Sequence, residues 1–405
     1  MSTRFSLIYP TRNRPEFIGV ALKFLEQQDY DNFEVIISDN YLDESLSCEK
    51  ICRDSRLGRK INYIRPSKPV GMVENWNYAY NFADGDYICY LTDKMFLLPG
   101  ILSNANKVLS ETNVDIFNWI DDVYQPDSFT DYFGKGTYIQ SVSAINNTKD
   151  YEQFNPNLEL SSKGKAEVPR QEQSKSSYTR GKICFGGFNK ELCDTIIEKT
   201  GSLFHDISPD YTSMILGLSF SRSALELSKA GVVHVNTDLS NGGAIATDDR
   251  KAMQFLTSLG NINDYLNGFL VPGVYSSMNN IVAHDYFVLK NKYDLDFKFD
   301  KLNWISYILQ DLGSDTRNWS SDRVKKEQTN LCYDFINSKL TGLEQKDLNE
   351  RLLNRKKSSE QLLSNQTIKD KLRIHYPQIY AWVKRNFKGS EEYKLERLCD
   401  VIKLD

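Results

Sequence analysis

Acidic residues follow two apolar runs near the start of the chain. Asp39 stands at the end of the run 33–37, and Asp93 stands just beyond the run 87–91. A carboxylate in such a place can accept hydrogen bonds or bind a divalent cation. The next residue, Lys94, would repel such a cation and attract a diphosphate. These residue types indicate a site for a charged ligand that forms hydrogen bonds.

Two arginines follow the first apolar run, residues 5–9. Arg12 and Arg14 stand beyond Pro10 in the sequence. A guanidinium group pairs well with phosphate oxygens, so either arginine is a candidate for contact with a phosphate-bearing ligand. An ordinary surface arginine would give the same pattern, and the sequence leaves both interpretations open.

Strand-like and helix-like patterns alternate over the first 125 residues. The pattern predicts strands at 5–9, 33–37, 61–64, 87–91 and 115–119, and helices at 16–28, 46–56, 71–82 and 99–110. This alternation predicts an α/β fold, Rossmann-like, with a mainly parallel sheet and helices on both faces. Ligands of such sheets bind beyond the carboxyl ends of the strands, where the acidic and basic residues stand.

The pattern changes after residue 125. Polar residues dominate from Asn146 to Lys175, so we interpret 126–182 as long loops. Further on, the pattern predicts helices at 249–260, 278–291, 301–312, 322–340, 343–364 and 367–387. We therefore divide the chain into a domain of residues 1–245, with halves of about 1–125 and 126–245, and a helical C-terminal region of residues 246–405.

The last predicted helix combines basic and aromatic residues. Trp382 and Phe387 stand there among lysines and arginines. This composition suits an anionic membrane surface. Packing against the rest of the chain, or contact with a second copy that makes a homo-oligomer, would explain it equally well.

Composition argues against several classes of protein. The net charge of −4 disfavours a nucleic-acid-binding protein, and no run of about 18 apolar residues is present to span a membrane. No apolar signal segment follows Met1, and the odd number of cysteines, seven, favours a reducing cytosol. Neither Gly-x-Gly-x-x-Gly nor a P-loop follows the first strand, which argues against a dinucleotide dehydrogenase and a P-loop enzyme.

Residues 5 to about 237 resemble a family 2 glycosyltransferase with the GT-A fold. Five pieces carry the resemblance in the family's order: residues 7–15, residues 33–40, Gly71 with Asn75, Asn77 and 85–88, residues 91–95 with Pro99-Gly100, and Pro209-Asp210-Tyr211. The resemblance implies a nucleotide-sugar donor, most simply UDP-linked, and a glycan or lipid-linked acceptor.

The resemblance also implies a role for each candidate residue. The donor would contact Pro10, Thr11, Arg12, Arg14, Asp39, Asn75 and Asp93. The acceptor would contact His205 and Asp206. Asp210, which opens a predicted helix, would be the general base for direct inversion at the sugar carbon, with Asp206 as the alternative. Asp39 and Asp210 would otherwise be capping residues.

The sequence departs from the family at its Asp-x-Asp motif. Thr92-Asp93-Lys94-Met95 keeps one aspartate and has Lys94 where a metal ligand is expected. We expect Lys94 to replace some or all of a metal ion's charge at the leaving diphosphate. Two alternatives stay open: Mg²⁺ or Mn²⁺ held by Asp93 alone, and a degraded motif in a weak or inactive enzyme.

Together these features predict an inverting glycosyltransferase that builds a surface polysaccharide such as capsule or lipopolysaccharide. Its expected location is the cytoplasm, at the inner face of the membrane if the tail binds lipid. The alternative is a relative without turnover that binds nucleotide or glycan as a regulatory or scaffold protein. A sugar-1-phosphate nucleotidyltransferase would need a glycine-rich signature after the first strand, and residues 10–15 contain no glycine.

Overall fold

The chain divides into two units. The structure, a computed structural model, describes residues 2–141, 149–166, 178–364 and 391–403, without the side chains of 356–364. The sheet unit comprises Met1–Glu159, Ser174–Thr237 and Arg385–Asp405, and the helical unit comprises Leu160–Gln173 and Asp238–Lys384. The helix predicted at 367–387 lies outside the described residues, so membrane contact and self-association through it stay predictions.

Four parallel strands form one part of the sheet, in the order β3, β2, β1, β4. They are β1 (Phe5–Thr11), β2 (Phe33–Asp39), β3 (Ile61–Ile64) and β4 (Tyr87–Tyr90). The helices of this part are α1 (Pro15–Leu25), α2 (Glu49–Asp54), α3 (Met72–Tyr80) and α4 (Ile101–Thr112). The central strands read as continuous apolar runs because parallel strands are covered on both faces. The predicted α/β class is confirmed.

The rest of the sheet is mixed. Its strands are β5 (Met95–Leu97), β6 (Ile116–Ser128), β7 (Asp131–Ile139), β8 (Tyr151–Phe154), β9 (Gly186–Asn189) and β10 (Ala224–Val235). β6 pairs antiparallel with β7 and β9 and parallel with β10, while β9 also pairs antiparallel with β4. Three further helices are α5 (Pro156–Gly164), α6 (Lys190–Thr200) and α7 (Pro209–Phe220).

The prediction of long loops over 126–182 is wrong for much of that range. β6 continues to Ser128 and turns directly into β7, and β8 and α5 follow. A short hairpin connection makes neighbouring strands antiparallel, which explains the mixed sheet. In β7 only the last four residues are buried, so no alternation of polar and apolar residues marks it in the sequence.

A C-terminal segment returns to the sheet unit. β11 (Glu392–Leu395) pairs antiparallel with β7, and the short helix Leu398–Lys403 buries Leu398 and Val401. The prediction that 246–405 forms one helical region therefore fails for these residues. β11 escaped prediction because it has four residues and alternates between exposed and half-buried positions.

The helical unit contains five of the six predicted C-terminal helices, and the sixth is the one outside the described residues. Its helices are α8 (Asn241–Thr247), α9 (Asp249–Ser258), α10 (Ile262–Gly268), α11 (Met278–Tyr293), α12 (Lys301–Leu312), α13 (Asp322–Lys339) and α14 (Gly342–Ser364). Tyr286 and Trp304 pack edge to face in its core, with ring centroids 5.6 Å apart. Within the described ranges, no helix has both the length and the apolar character needed to cross a membrane.

Candidate active site

Asp39 ends β2 with a fully buried side chain. Its Oδ2 atom accepts hydrogen bonds from the backbone N–H of Cys48 at 2.6 Å and from the hydroxyl of Tyr63 at 3.0 Å. Burial raises the pKa of this carboxyl group, and the two hydrogen bonds partly offset the rise. Its Oδ1 atom is buried without a hydrogen-bond partner among the described residues. Such an atom costs free energy unless a ligand supplies the missing donor.

Thr11 lies beside Asp39 at the end of β1. The parallel register pairs Thr11 with Asp39 and Pro10 with Ser38. Paired residues on adjacent strands project to the same face, so the Thr11 hydroxyl and the Asp39 carboxylate share one side of the sheet. That hydroxyl is also buried with no partner in the part of the chain that the structure describes. Two neighbouring strand ends thus offer two unused polar atoms to a ligand.

Arg14 and Asp93 form an ion pair. The Nη1 atom of Arg14 lies 2.9 Å from Oδ1 and 3.0 Å from Oδ2 of Asp93. The Arg14 side chain is 26% exposed and that of Asp93 is 11% exposed. The one aspartate kept from the Asp-x-Asp motif therefore already contacts a cation of its own chain.

The donor set around Asp93 does not fit a divalent cation. Mg²⁺ and similar hard cations take several oxygen ligands, whereas both oxygens of Asp93 accept hydrogen bonds from Arg14 and the next residue is Lys94. Across the described residues, no cluster of three or more His, Cys, Asp or Glu side chains is placed to hold a metal ion. We therefore derive no catalytic step through a metal.

Arg12 and Asn75, both predicted donor contacts, have structural partners. The Arg12 guanidinium donates to the carbonyl oxygen of Val70. The side chain of Asn75, buried in α3, accepts from the Ser38 hydroxyl at 2.8 Å and donates to the Ser38 carbonyl at 3.2 Å. Asn75 thereby ties α3 to β2 one residue before Asp39.

Asp210 lies in the first turn of α7, directly after Pro209. Its side chain is 33% exposed, and the N-terminal end of a helix favours a carboxylate. In the preceding loop Asp206 is exposed. The His205 Nε2 atom lies 3.2 Å from the Thr200 hydroxyl, so the histidine is held by its own loop. Of the predicted acidic residues after β9, Asp210 is the one anchored in regular structure.

Phe204 holds the loop before Asp210 against the end of β4. Its ring centroid lies 4.6 Å from that of Tyr90, the last residue of β4. Its backbone N–H and C=O form hydrogen bonds with the Asn77 side chain at 3.1 and 2.9 Å. β4 is followed directly by the segment that contains Asp93. The chain leading to Asp210 is thus tied to the strand edge that carries the predicted donor residues.

Lys182 is a candidate that sequence reasoning missed. Its side chain is 1% exposed, and its Nζ atom lies 3.4 Å from Oδ2 of Asp210. The ammonium group also lies 3.8 Å from the ring centroid of Tyr178 and 3.7 Å from that of Tyr211. A lysine at the end of a polar stretch carries no sequence signal of burial, since lysine is almost never fully buried.

Glu226 of β10 is a buried carboxyl group near the segment that carries Lys182. Burial raises the pKa of Glu226 to about 7, although the guanidinium of Arg180, 3.5 Å away, acts in the opposite direction. The folded protein therefore binds this proton more tightly than the unfolded chain does. The free energy of unfolding should fall as pH rises from the ordinary glutamate pKa of 4.5 to about 7.

Replacing Glu226 with glutamine should remove this pH dependence. Because one pKa unit corresponds to about 1.4 kcal/mol, the wild-type protein should lose up to about 3 kcal/mol across that interval relative to Glu226→Gln. Urea unfolding of both proteins at pH 5 and pH 8 measures the difference. Glu152→Gln, which changes an exposed partner of Arg180, is the control. A stability difference that is equal at the two pH values would contradict the assignment.

Comparison with known proteins identifies the N-terminal part of the chain. Residues 6–160 match the sequence model of glycosyl transferase family 2. Residues 6–160 form a family 2 glycosyltransferase domain. The resemblance seen in the sequence is confirmed over these residues. Asp39 and Asp93 lie inside the matched range of the glycosyltransferase domain, whereas Lys182 and Asp210 lie beyond it.

Several known proteins share part of the glycosyltransferase domain. Amylovoran biosynthesis glycosyltransferase AmsB of Erwinia amylovora is 33% identical over 88 residues, 22% of this chain and 29% of that protein. GalNAc(5)-diNAcBac-PP-undecaprenol beta-1,3-glucosyltransferase of Campylobacter jejuni is 30% identical over 117 residues, 28% of this chain and 37% of that protein. The chain thus spans about a third of the length of these curated relatives. The structure of S. aureus TarS 1-349 in complex with UDP-GlcNAc aligns with a TM-score of 0.40 and 15% identity, over 76% of this chain and 80% of that one.

Proposed function

We propose that this protein transfers a sugar from a nucleotide-sugar donor to a hydroxyl of a glycan or lipid-linked acceptor during synthesis of a surface polysaccharide. One observation carries the proposal: Asp39 Oδ1 and the Thr11 hydroxyl lie at adjacent strand ends of a family 2 domain, buried and without partners among the described residues. The names of two relatives support the acceptor class, since one belongs to amylovoran biosynthesis and the other names a PP-undecaprenol-linked glycan.

The single free oxygen of Asp39 favours a uracil base. Uracil presents one ring N–H, guanine presents two adjacent N–H groups, and the corresponding ring nitrogen of cytosine is an acceptor. Oδ2 of Asp39 is already used by Cys48 and Tyr63, which disfavours the bidentate contact that the two N–H groups of guanine make with both oxygens of a carboxylate. A UDP-linked sugar satisfies this pattern. Thymine offers the same N–H, which makes dTDP the most informative comparison.

Asp210 acts as the general base in this proposal. The acceptor hydroxyl loses its proton to Asp210 Oδ1 while its oxygen bonds to the anomeric carbon of the sugar. The bond between that carbon and the diphosphate oxygen breaks, and its electron pair leaves with the diphosphate. Attack opposite the leaving group inverts the configuration. Lys94 supplies positive charge for the leaving diphosphate, and His205 and Asp206 stay the candidates for acceptor contact.

A second function, binding of nucleotide or glycan without turnover, is favoured by one observation. Asp93 is the only aspartate left at the Asp-x-Asp position, and its carboxylate is ion-paired with Arg14. A protein that lacks the metal-binding aspartates of the Asp-x-Asp motif can still bind a nucleotide through Asp39 and Thr11. Release of UDP from a UDP-sugar distinguishes the two functions.

UDP should stabilise the protein against heat in the presence of EDTA. A ligand that binds only the folded state adds about 2.7 kcal/mol at a hundredfold excess over its Kd. The measurement is a thermal denaturation series with UDP, dTDP, GDP and CMP, each with EDTA and with Mn²⁺. A UDP shift that needs Mn²⁺ would contradict the role of Lys94. No shift with any nucleotide would contradict the donor class, and a UDP shift without UDP release from any UDP-sugar would favour the second function.

A further inference from the structure

We propose that Lys182 is a positioning residue for the general base. The inference rests on the proposed function, in which Asp210 takes the proton of the acceptor hydroxyl. Lys182 Nζ donates to Oδ2 of Asp210 at 3.4 Å, while Oδ1 has no hydrogen-bond partner among the described residues. The lysine thus determines which oxygen of the carboxylate is held and which is left for the proton.

Two tyrosine rings enclose the ammonium group of Lys182. The ring centroids of Tyr178 and Tyr211 lie 3.8 and 3.7 Å from Nζ, and the two hydroxyls lie 3.2 Å apart. Aromatic faces attract a cation, and the exclusion of water keeps its charge unscreened. This tyrosine cage keeps the lysine charge next to Asp210.

The backbone of Lys182 is held as firmly as its side chain. Asn118 of β6 accepts from the N–H of Gly181 at 2.8 Å and donates to the carbonyl oxygens of Lys182 at 3.0 Å and Phe185 at 2.9 Å. One strand residue therefore fixes the turn that carries the lysine. Because the backbone of Lys182 is fixed and its ammonium group is enclosed, the positive charge is held next to the Asp210 carboxylate.

The burial of Lys182 argues against direct contact between this lysine and a substrate. A lysine that neutralises a leaving diphosphate has to reach the ligand, yet only 1% of this side chain is exposed. The carboxylate of Asp210 is 33% exposed and stays accessible to an acceptor. Lys182 therefore acts on the reaction through Asp210.

Lys190 provides a matched control within the same unit. Its Nζ atom lies 4.5 Å from the ring centroid of Tyr80 and 3.2 Å from Oδ1 of Asp194. The arrangement of a lysine, a tyrosine ring and an aspartate is therefore repeated away from Asp210. The Lys190 side chain is 38% exposed, so its replacement tests the removal of a similar lysine without touching the base.

The test compares four variants by UDP release kinetics and by UDP binding: Lys182→Met, Lys190→Met, Asp210→Asn and the double variant Lys182→Met/Asp210→Asn. Lys182→Met should lower kcat about tenfold to a hundredfold, part of what general-base catalysis contributes, and leave the Kd for UDP unchanged. Lys190→Met should leave both unchanged. In the Asp210→Asn background Lys182→Met should cause no further loss, because residues that act as a unit are not additive.

Each outcome bears on one of the two claims. A wild-type kcat in Lys182→Met overturns the positioning role while Asp210→Asn still tests the base. Full activity of Asp210→Asn overturns the base itself. A further loss in the double variant shows that Lys182 acts apart from Asp210. If Lys182→Met loses UDP binding, and with it evidence of folding, Tyr178→Leu replaces it: opening the cage should lower kcat at unchanged Kd, and an unchanged kcat overturns the inference.

Discussion

Replacement of Asp210 with asparagine should lower kcat for sugar transfer by about 10²- to 10⁴-fold, the range that a general base contributes. Asparagine has the size of aspartate, and its amide oxygen can still accept the hydrogen bond from Lys182 Nζ. It cannot take up the proton of an acceptor hydroxyl. The KM for the donor should change little, because the proposed nucleotide contacts lie on β1 and β2.

Two further variants make this result specific. Asp194→Asn removes a carboxylate that also pairs with a lysine, Lys190, and it should keep wild-type turnover. Asp206→Asn tests the alternative base in the exposed loop. Initial rates at saturating donor, with UDP binding as evidence of folding, are the measurement. If Asp210→Asn keeps more than about a tenth of the wild-type kcat, the loss is too small for a general base, and inactivity of Asp206→Asn would move the role there.

Asp39→Asn should weaken UDP binding by about tenfold to a hundredfold. A hydrogen bond to a charged group contributes about 1.5–3 kcal/mol, and 1.4 kcal/mol is tenfold in affinity. The variant amide must turn its oxygen toward the N–H of Cys48 and the hydroxyl of Tyr63. Its NH₂ group then occupies the place of the free carboxylate oxygen. This NH₂ group is a hydrogen-bond donor and would face the N–H donor of the base. The favourable hydrogen bond is therefore replaced by an unfavourable contact between two donors.

The thermal stability of the ligand-free Asp39→Asn protein distinguishes weaker UDP binding from misfolding. Because burial raises the pKa of Asp39, the ionised carboxylate costs free energy of folding above about pH 4, and asparagine avoids that cost. At pH 7 the ligand-free Asp39→Asn protein should therefore melt no lower than the wild type, while its UDP-induced shift shrinks. Titration calorimetry gives the Kd. Asp31→Asn, at an exposed carboxylate paired with Lys60, is the matched control. A wild-type Kd for Asp39→Asn would refute the assignment of Oδ1.

The sequence predicted the strands and helices in which apolar residues follow a regular pattern. β1 and β2 are apolar along most of their length, and the helices after residue 249 keep a helical period, so both could be located. β7 and β11 could not, because their burial depends on neighbours that are distant in the sequence. β7 is buried only at its C-terminal end, and β11 alternates between exposed and half-buried residues. In the sequence, such strands cannot be distinguished from other polar segments.

The candidate site also contains some residues that the sequence could identify and others that it could not. Asp39 and Asp93 could be identified because they directly follow predicted strands, and a parallel sheet brings strand ends together. The contact of Arg14 with Asp93 could not, since it joins two loops that are far apart in the sequence. Lys182 was missed for a related reason: two of the residues around its ammonium group, Asp210 and Tyr211, are distant from it in the sequence.

The position of β11 has a practical consequence for protein production. A shortened protein that stops after the helical unit would keep every residue of the proposed site, yet the edge of β7 that pairs with β11 would lose its partner. The bare N–H and C=O groups of an edge strand invite pairing with another molecule, which is a common route to aggregation. Residues 391–403 therefore belong in any expressed version of the glycosyltransferase domain, and an affinity tag is better placed at the N-terminus than next to this strand.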